Sequence, residues 1–186
     1  MNDKKTFVEN LCNILVRQGS VSEKEADAMK KDFENRSKDA FDYFLTSEGL
    51  VTKENVLKAL SEYYGIPSVD VVGYFFDHDL VIDFPKDFLL RHAIIPMEMD
   101  QEILTVVASQ PDMPGLLEDI GRLTKYDIEF LVGNKQDIID AIEEYYDESN
   151  TYIHDLTDED ESDLDVQDVD VDHIIDELVE DEEKKK

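Results

Sequence analysis

The sequence has little cysteine and little positive charge, and it contains no long apolar run. Its single cysteine, Cys12, excludes an intramolecular disulfide and any zinc cluster built on cysteines. Against 47 aspartates and glutamates stand only 18 lysines and arginines, and a net charge of −29 repels phosphate backbones and acidic lipid headgroups. The apolar stretch at residues 71–76 is far too short to span a membrane. We therefore expect neither nucleic-acid binding nor membrane insertion.

The negative charge is concentrated near the C-terminus. Residues 147–186 hold 18 acidic and 3 basic residues, a net −15, whereas residues 1–146 hold 29 acidic and 15 basic residues, a net −14. The last fifth of the chain has too few apolar residues for its charge to form a core, so we predict an acidic, largely disordered tail. Within it, residues 173–179 place apolar side chains on one helical face, which suggests a transient docking helix or, alternatively, a solvated linker.

Residues 1–65 are predicted to form a helical subdomain. Apolar residues recur there at helical spacing, and Ser22 and Thr52 each stand where a helix N-cap is expected. These caps are 30 residues apart, and at the same offset Gly19 corresponds to Gly49, where a glycine ends a helix most easily. The pattern indicates two tandem helix-turn-helix repeats. A common helix-to-helix connector that occurs twice is the alternative.

Residues 66–146 are predicted to fold as a small α/β sandwich, which makes the chain an α+β protein. The apolar periodicity changes from helical to alternating in this part of the chain. The predicted elements are a β-rich run at 68–72, a helix opening at 84–86, strands at 93–99 and 103–108 joined by a tight turn at 100–101, a helix at 114–123, a strand at 128–132, and a closing helix at 135–146 capped by Asn134.

No sequence pattern of a common enzyme site is present. The phosphate-binding Gly-x-x-x-x-Gly-Lys-Ser/Thr loop and the Gly-x-Ser-x-Gly nucleophile elbow are both missing. Cys12 falls in an apolar helical stripe, which favours a core role over a nucleophilic one. We therefore predict that the chain is not an enzyme and has no cofactor.

Two acidic segments resemble metal sites without meeting their requirements. At residues 77–79, Asp-His-Asp suggests a metal or acid–base cluster, but in a strand the imidazole would point away from both carboxylates, so a polar turn is favoured. Residues 168–172 imitate the start of a calcium loop, yet His173 and Val179 occupy the places that require glycine and an acidic residue. We predict no metal site.

Several short motifs follow one another along residues 7–146 in a characteristic order. They are Tyr63-Tyr64-Gly65-Ile66-Pro67, Phe84-Pro85 before Leu89-Leu90-Arg91-His92, Ile95-Pro96-Met97, Leu104-Thr105-Val106-Val107-Ala108 with Pro111-Asp112, and Asp137-Ile138-Ile139 before Ala141-Ile142 and Tyr145-Tyr146. This order resembles the MshEN domain, the N-terminal domain of type II secretion and type IV pilus assembly ATPases. No ATPase domain accompanies it, so the chain is either a stand-alone relative or part of a longer ATPase.

The resemblance also implies where a nucleotide would bind. In family members that bind cyclic di-GMP, the arginine, first glycine and final glutamine of a motif repeated twice shape the ligand site. When Gly19 and Gly49 are aligned on the motif's central glycine, these positions hold Asn10 and Ala40, Cys12 and Asp42, and Phe33 and Tyr63. A dianionic ligand would lose its cationic partners, and the Asp42 carboxylate would repel it. We therefore expect no binding of cyclic di-GMP.

The resemblance implies a non-enzymatic docking and regulatory module of a bacterial secretion or pilus machine. Such a module is expected in the cytoplasm, reaching the inner membrane only through a protein partner, either a platform protein or the assembly ATPase. Phe41, Phe44 and Tyr64 are the predicted interface residues, and the alternative is that these aromatic rings close the core.

Two rival functions come from other classes. A degenerate cyclic di-GMP sensor would need replacement cations, for which Arg17, Lys24, Arg36 and Lys38 are the nearby candidates. An acidic adaptor would bind its partner through the tail at 147–186 and not through its folded part.

Overall fold

The structure is a computed structural model that describes residues 2–34 and 40–158, with side chains described over 5–34 and 40–146. Contacts divide the chain into one unit of residues 1–146 and a second of residues 147–186. Helices and a small sheet together confirm the α+β class. The elements are α1 (Asn2–Arg17), α2 (Glu23–Glu34), α3 (Phe41–Ser47), α4 (Lys53–Tyr64), α5 (His78–Ile82), α6 (Lys86–His92), β1 (Ile94–Asp100), β2 (Ile103–Ala108), α7 (Leu116–Gly121), β3 (Asp127–Val132) and α8 (Lys135–Asp158).

Helices α1 to α4 share one hydrophobic cluster, called the helical cluster below. It forms because apolar residues recur every three to four positions, so each helix turns one apolar face inward. Aromatic rings interlock within it, since the Phe33 ring centroid lies 4.9 Å from that of Phe41 and 5.5 Å from that of Phe44. Its buried members are Val8, Leu11, Cys12, Ile14, Leu15, Val21, Ala26, Met29, Phe33, Phe41, Phe44, Leu45, Val51, Val56, Ala59, Leu60 and Val132.

The two helix-to-helix turns are built in the same way. Gly19 and Gly49 follow α1 and α3 with a left-handed backbone, at φ of 73° and 65°. Each donates its backbone N–H to the carbonyl three residues earlier, at 3.0 and 3.1 Å. Ser22 and Thr52 then cap α2 and α4, and each hydroxyl oxygen accepts the N–H three positions later, at 3.3 and 3.4 Å. The tandem repeat stays a prediction, which these matching bonds support.

The three strands lie in the order β1-β2-β3, with β1 antiparallel and β3 parallel to β2. Asp100 pairs with Ile103 across the hairpin, so the turn consists of Gln101 and Glu102. The predicted turn at 100–101 was therefore wrong by one residue, because Asp100 still belongs to the strand ladder. Gln101 takes the left-handed conformation that the tight turn requires, with φ of 56°.

The sheet and helices α5 to α8 share a second cluster, called the sheet cluster. Helix α8 contributes Ile138 and Ile142, which are fully buried one turn apart. The hydroxyl of Tyr146 donates to the Phe84 carbonyl at 2.8 Å and ties this helix to the loop before α6. Its buried members are Val71, Val81, Phe84, Leu89, Ile94, Ile95, Met97, Leu104, Val106, Val107, Ala108, Leu116, Ile120, Ile138 and Ile142.

Two predicted elements were wrong. The polar turn expected at 77–79 is the start of α5, because the Asp77 carboxylate caps that helix by accepting the Asp79 N–H at 3.1 Å. The β-rich run expected at 68–72 contains only an isolated bridge between Ser68 and Val132. An extended run cannot continue there because the Asp70 side chain accepts the backbone N–H two residues later, at 3.1 Å, which turns the chain.

Two predicted helices have different ends. Helix α7 covers Leu116–Gly121 and is shorter than the predicted 114–123, since Gly115 before it is left-handed with φ of 83°. Helix α8 begins at Lys135 as predicted but continues to Asp158, past the predicted end at 146, because no glycine or proline interrupts it. The predicted tail therefore begins as helix over residues 147–158.

The remaining tail predictions lie outside the described residues. These are the disorder of 159–186, the transient helix at 173–179 and the calcium-like segment at 168–172. The division into subdomains 1–65 and 66–146 stays a prediction. Among the described residues, no helix combines the length and apolar character needed to cross a bilayer.

Candidate functional site

The first copy of the nucleotide motif is largely part of the core. Cys12 is fully buried and Phe33 is 4% exposed, while Asn10 lies on the surface of α1. The Cys12 sulfur lies 4.0 Å from the Ala26 carbonyl oxygen, which fits a weak S–H donor. Burial raises the pKa of this thiol to about 11, so it stays protonated at neutral pH. Cys12 therefore lies in the core as a small residue, in agreement with its position in an apolar helical stripe.

The second copy of the motif presents little open surface. Ala40 and Tyr63 are half-buried, and the Tyr63 ring packs edge-on against Phe7 with centroids 5.0 Å apart. Asp42, the residue expected to repel an anionic ligand, is 6% exposed. Its carboxylate is therefore directed into the protein and not toward solvent.

Asp42 of α3 binds the N-terminus of α8. Its Oδ2 accepts the backbone N–H of Lys135 at 3.0 Å, across 93 positions of sequence. The adjacent Asn134 caps the same helix, because its Oδ1 accepts the N–H of Gln136 at 3.0 Å and of Asp137 at 3.4 Å. Burial nevertheless raises the pKa of the Asp42 carboxyl, and the bond from Lys135 offsets this only in part. The motif of the ligand-binding family members has glycine at this position, whereas here the position holds Asp42, which caps α8.

Lys53 makes a second link between the helical part and the sheet part. Its ammonium lies 3.1 Å from the Asp137 carboxylate on α8 and 3.5 Å from that of Asp70. Burial alone would lower the pKa of Lys53, but these two carboxylates outweigh it and raise the pKa. Asp42 and Lys53 thus both connect the helical part to the first turn of α8. We call these four residues, Asp42, Lys53, Lys135 and Asp137, the joint.

The predicted aromatic interface is mostly core. Phe41 and Phe44 are each 2% exposed and belong to the helical cluster, so they offer no surface to a partner. Their burial supports the alternative that these rings close the core, because the ring of Phe33 faces them there. Tyr64 is half-buried against the same cluster, and its burial raises the pKa of its hydroxyl.

Among the described residues, the most exposed large apolar side chain lies on a segment that reads in the sequence as a short apolar run. Residues 70–77, called the aromatic loop below, expose 98% of Phe75 and 62% of Val72. The flanking rings of Tyr74 and Phe76 pack against the sheet cluster. Three consecutive aromatic residues after Gly73 were the available signal, but a sequence does not show which of three adjacent rings points outward.

Polar groups near α5 do not form a metal centre. His78 Nδ1 contacts the hydroxyl of Tyr145, and burial raises the pKa of that hydroxyl to about 12. Within the described part of the chain, no group of three or more His, Cys, Asp or Glu side chains is placed to hold a metal ion.

The sequence is similar to one domain family and to a pilus assembly ATPase. The MshEN domain model matches residues 64–151. The type IV pilus assembly ATPase PilB of Myxococcus xanthus (strain DK1622) is 25% identical over 158 residues, which are 84% of this chain and 27% of PilB. The chain thus corresponds to about a quarter of that relative. All of the nucleotide-motif positions come before residue 64 and lie outside the family match.

Solved structures show the same fold. MshE with cdg (cyclic di-GMP) is similar with a TM-score of 0.57 and 23% identity, over 73% of this chain and 98% of that one. The N-terminal domain of XpsE is similar with a TM-score of 0.52 and 18% identity, over 73% of this chain and 92% of that one. The family match confirms the resemblance to the MshEN domain over residues 64–151, and the two solved structures show that this fold is shared.

Proposed function

We propose that this chain is a non-enzymatic docking and regulatory module of a type II secretion or type IV pilus assembly machine. The observation that carries the proposal is the match of residues 64–151 to the MshEN domain model. The module acts in the cytoplasm and binds either the inner-membrane platform protein or the assembly ATPase. Within it, Asp42 of α3 and Lys53 of α4 both contact the first turn of α8 and so connect the helical part to the sheet part.

Direct binding to purified partners tests this proposal. The full chain is immobilised and exposed in turn to the cytoplasmic region of the host's platform protein and to the host's assembly ATPase. We expect one of them to bind with a Kd tighter than about 10 µM, as for a transient intracellular complex. Absence of binding by both at about 100 µM, where a complex of roughly 5.5 kcal/mol would be half-formed, overturns the proposal.

A chain shortened after Asp158 is the matched control, because it keeps α8 and removes residues 159–186. Equal affinity of the shortened and full chains excludes an adaptor that binds through residues 159–186 of its acidic tail. Loss of binding on shortening supports that rival and moves the contact away from the folded part.

The second candidate is a diverged cyclic di-GMP sensor, which the structure of MshE with cdg favours. The six substituted motif positions do not by themselves exclude it, since a different set of cations could bind the phosphates. Burial of Cys12, Phe33 and Asp42 opposes it, because these side chains occupy space and supply no donor toward solvent. The docking function is preferred because it needs none of these residues to be ligands.

Isothermal titration with cyclic di-GMP separates the two candidates. We expect no heat of binding that corresponds to a Kd tighter than about 10 µM. If binding appears, the double variant Arg17→Gln, Lys24→Gln identifies its origin, since both residues are exposed cations on the helical part. Binding that this variant abolishes establishes the sensor in place of the docking module.

A further inference from the structure

The aromatic loop places one hydrophobic ring almost entirely in water. Phe75 is 98% exposed, whereas its neighbours Tyr74 and Phe76 pack on the sheet cluster with their centroids 4.9 Å apart. The Tyr74 hydroxyl also donates to the Glu98 carboxylate at 2.7 Å. Because both neighbours are held against the protein, the ring between them is directed away from it.

The backbone of the aromatic loop is fixed at several points. Gly73 takes a left-handed φ of 74°, and the N–H of Tyr74 is donated to the Val71 carbonyl at 3.2 Å. At the end of the loop Asp77 caps α5. These bonds hold the backbone on both sides of Phe75, so binding requires less ordering of the loop than an unbonded segment would need.

Acidic residues lie on the aromatic loop and on the elements next to it. Asp77 belongs to the loop, Asp79 lies in the first turn of α5, and Glu98 accepts the bond from Tyr74. A second copy of this chain, with its own net charge of −29, would meet like charge there, and so would an anionic membrane. A partner surface that combines an apolar pocket with lysines and arginines at its rim would complement both the Phe75 ring and these acidic residues.

We propose that the aromatic loop is a docking element whose anchor, Phe75, inserts into an apolar pocket bordered by lysine and arginine on a protein partner. Val72, 62% exposed on the same loop, widens the apolar contact. This site extends beyond the proposed function, because it specifies the contact chemistry whichever protein supplies the pocket.

Site-specific photo-cross-linking in the host cell tests the contact. The full chain carries p-benzoylphenylalanine in place of Phe75 and, as a matched control, in place of Leu117, which is 57% exposed on α7. We expect an adduct from position 75 alone, mapped by mass spectrometry to an apolar segment flanked by lysine or arginine. No adduct above the control, or an adduct with lipid, with a second copy or with residues 159–186 of the same chain, overturns the docking site.

The captured protein is then purified and titrated with variants of the full chain. We expect Phe75→Ala to weaken binding about 30-fold, as for an interface anchor, and Leu117→Ala to change it less than about 2-fold. The double variant Asp79→Asn, Glu98→Gln should weaken binding and flatten its salt dependence. Because Phe75 is so exposed, its variant should keep the wild-type circular dichroism spectrum.

The outcomes distinguish this site from the proposed function. Binding that Phe75→Ala leaves unchanged overturns the docking site, even when the partner is a platform protein or an assembly ATPase. A Phe75-dependent partner from outside the secretion machinery supports the docking site and counts against the proposed function.

Discussion

Replacement of Asp42 by alanine is expected to lower the free energy of unfolding by about 1–3 kcal/mol. The Asp42 carboxylate accepts the backbone N–H of Lys135 at 3.0 Å, and the side chain is 6% exposed. Alanine removes the acceptor and leaves the helix N-terminus without this partner, while water has poor access to replace it. Urea unfolding followed by circular dichroism measures the loss.

Replacement of Asp42 by asparagine is expected to have a much smaller effect, within about 1 kcal/mol at pH 7, because the amide oxygen accepts the same N–H. It also removes a charge whose burial is unfavourable. Since burial raises the pKa of Asp42 in the folded protein, the folded state binds this proton more tightly than the unfolded state. The stability that Asp42 contributes is therefore fully present below its unfolded pKa and is lost as pH rises through the folded pKa.

The raised pKa of Asp42 in the folded protein sets the direction in which stability changes with pH. Relative to the Asp42→Asn variant, the wild type should gain stability as pH falls from 7 toward 4. The comparison isolates Asp42 because all other carboxylates are common to both proteins. Asp27→Ala is the control, since Asp27 forms a surface ion pair with Lys30 at 3.4 Å and its loss should change stability by less than about 0.5 kcal/mol. A wild type that loses stability relative to Asp42→Asn on acidification contradicts the raised pKa.

Features that depend on neighbouring residues were predictable from the sequence. The caps at Thr52 and Asn134 were both assigned correctly, because a side-chain oxygen at the start of a helix binds N–H groups two or three positions later. Strand β2 was assigned with its observed ends, Ile103 and Ala108, because its apolar run is bounded by polar residues. In each case the interaction that fixes the element lies within a few residues of it.

Features that depend on distant residues were not predictable. Asp42 was interpreted as a repulsive charge in a ligand site because its partner, Lys135, is 93 positions away in sequence. Phe41 and Phe44 were interpreted as an interface because an aromatic stripe looks the same whether another helix or a partner covers it. Helix α5 was missed because five residues are too few to show a helical period. Contacts between separate helices decided the roles of Asp42, Phe41 and Phe44, whereas α5 was missed because of its length alone.

The second large effect is expected at Gly133, which joins β3 to the cap of α8. A Cβ at this position would lie 2.8 Å from Val107 Cγ1 and 3.1 Å from Ile138 Cδ1, both in the sheet cluster. The backbone cannot easily retreat, because the Gly133 N–H is donated to the Ala108 carbonyl at 3.2 Å. Gly133→Ala is therefore expected to lower the free energy of unfolding by about 1–3 kcal/mol through overpacking.

Truncation of Val107 tests whether the clash of the new methyl group at Gly133 arises from this one neighbour. Val107→Ala leaves a small cavity by itself, but in the Gly133→Ala background it frees the space that the new methyl group needs. The double variant should thus be more stable than the sum of the two single losses predicts, by about 1 kcal/mol of coupling. Gly121→Ala is the matched control, since no atom lies within 4 Å of its added Cβ and it should gain about 0.4–1 kcal/mol. Additive losses at Gly133 and Val107 would contradict a direct clash. They would instead indicate that alanine distorts the backbone before Asn134. This distortion would also move the start of α8, which Asp42 binds.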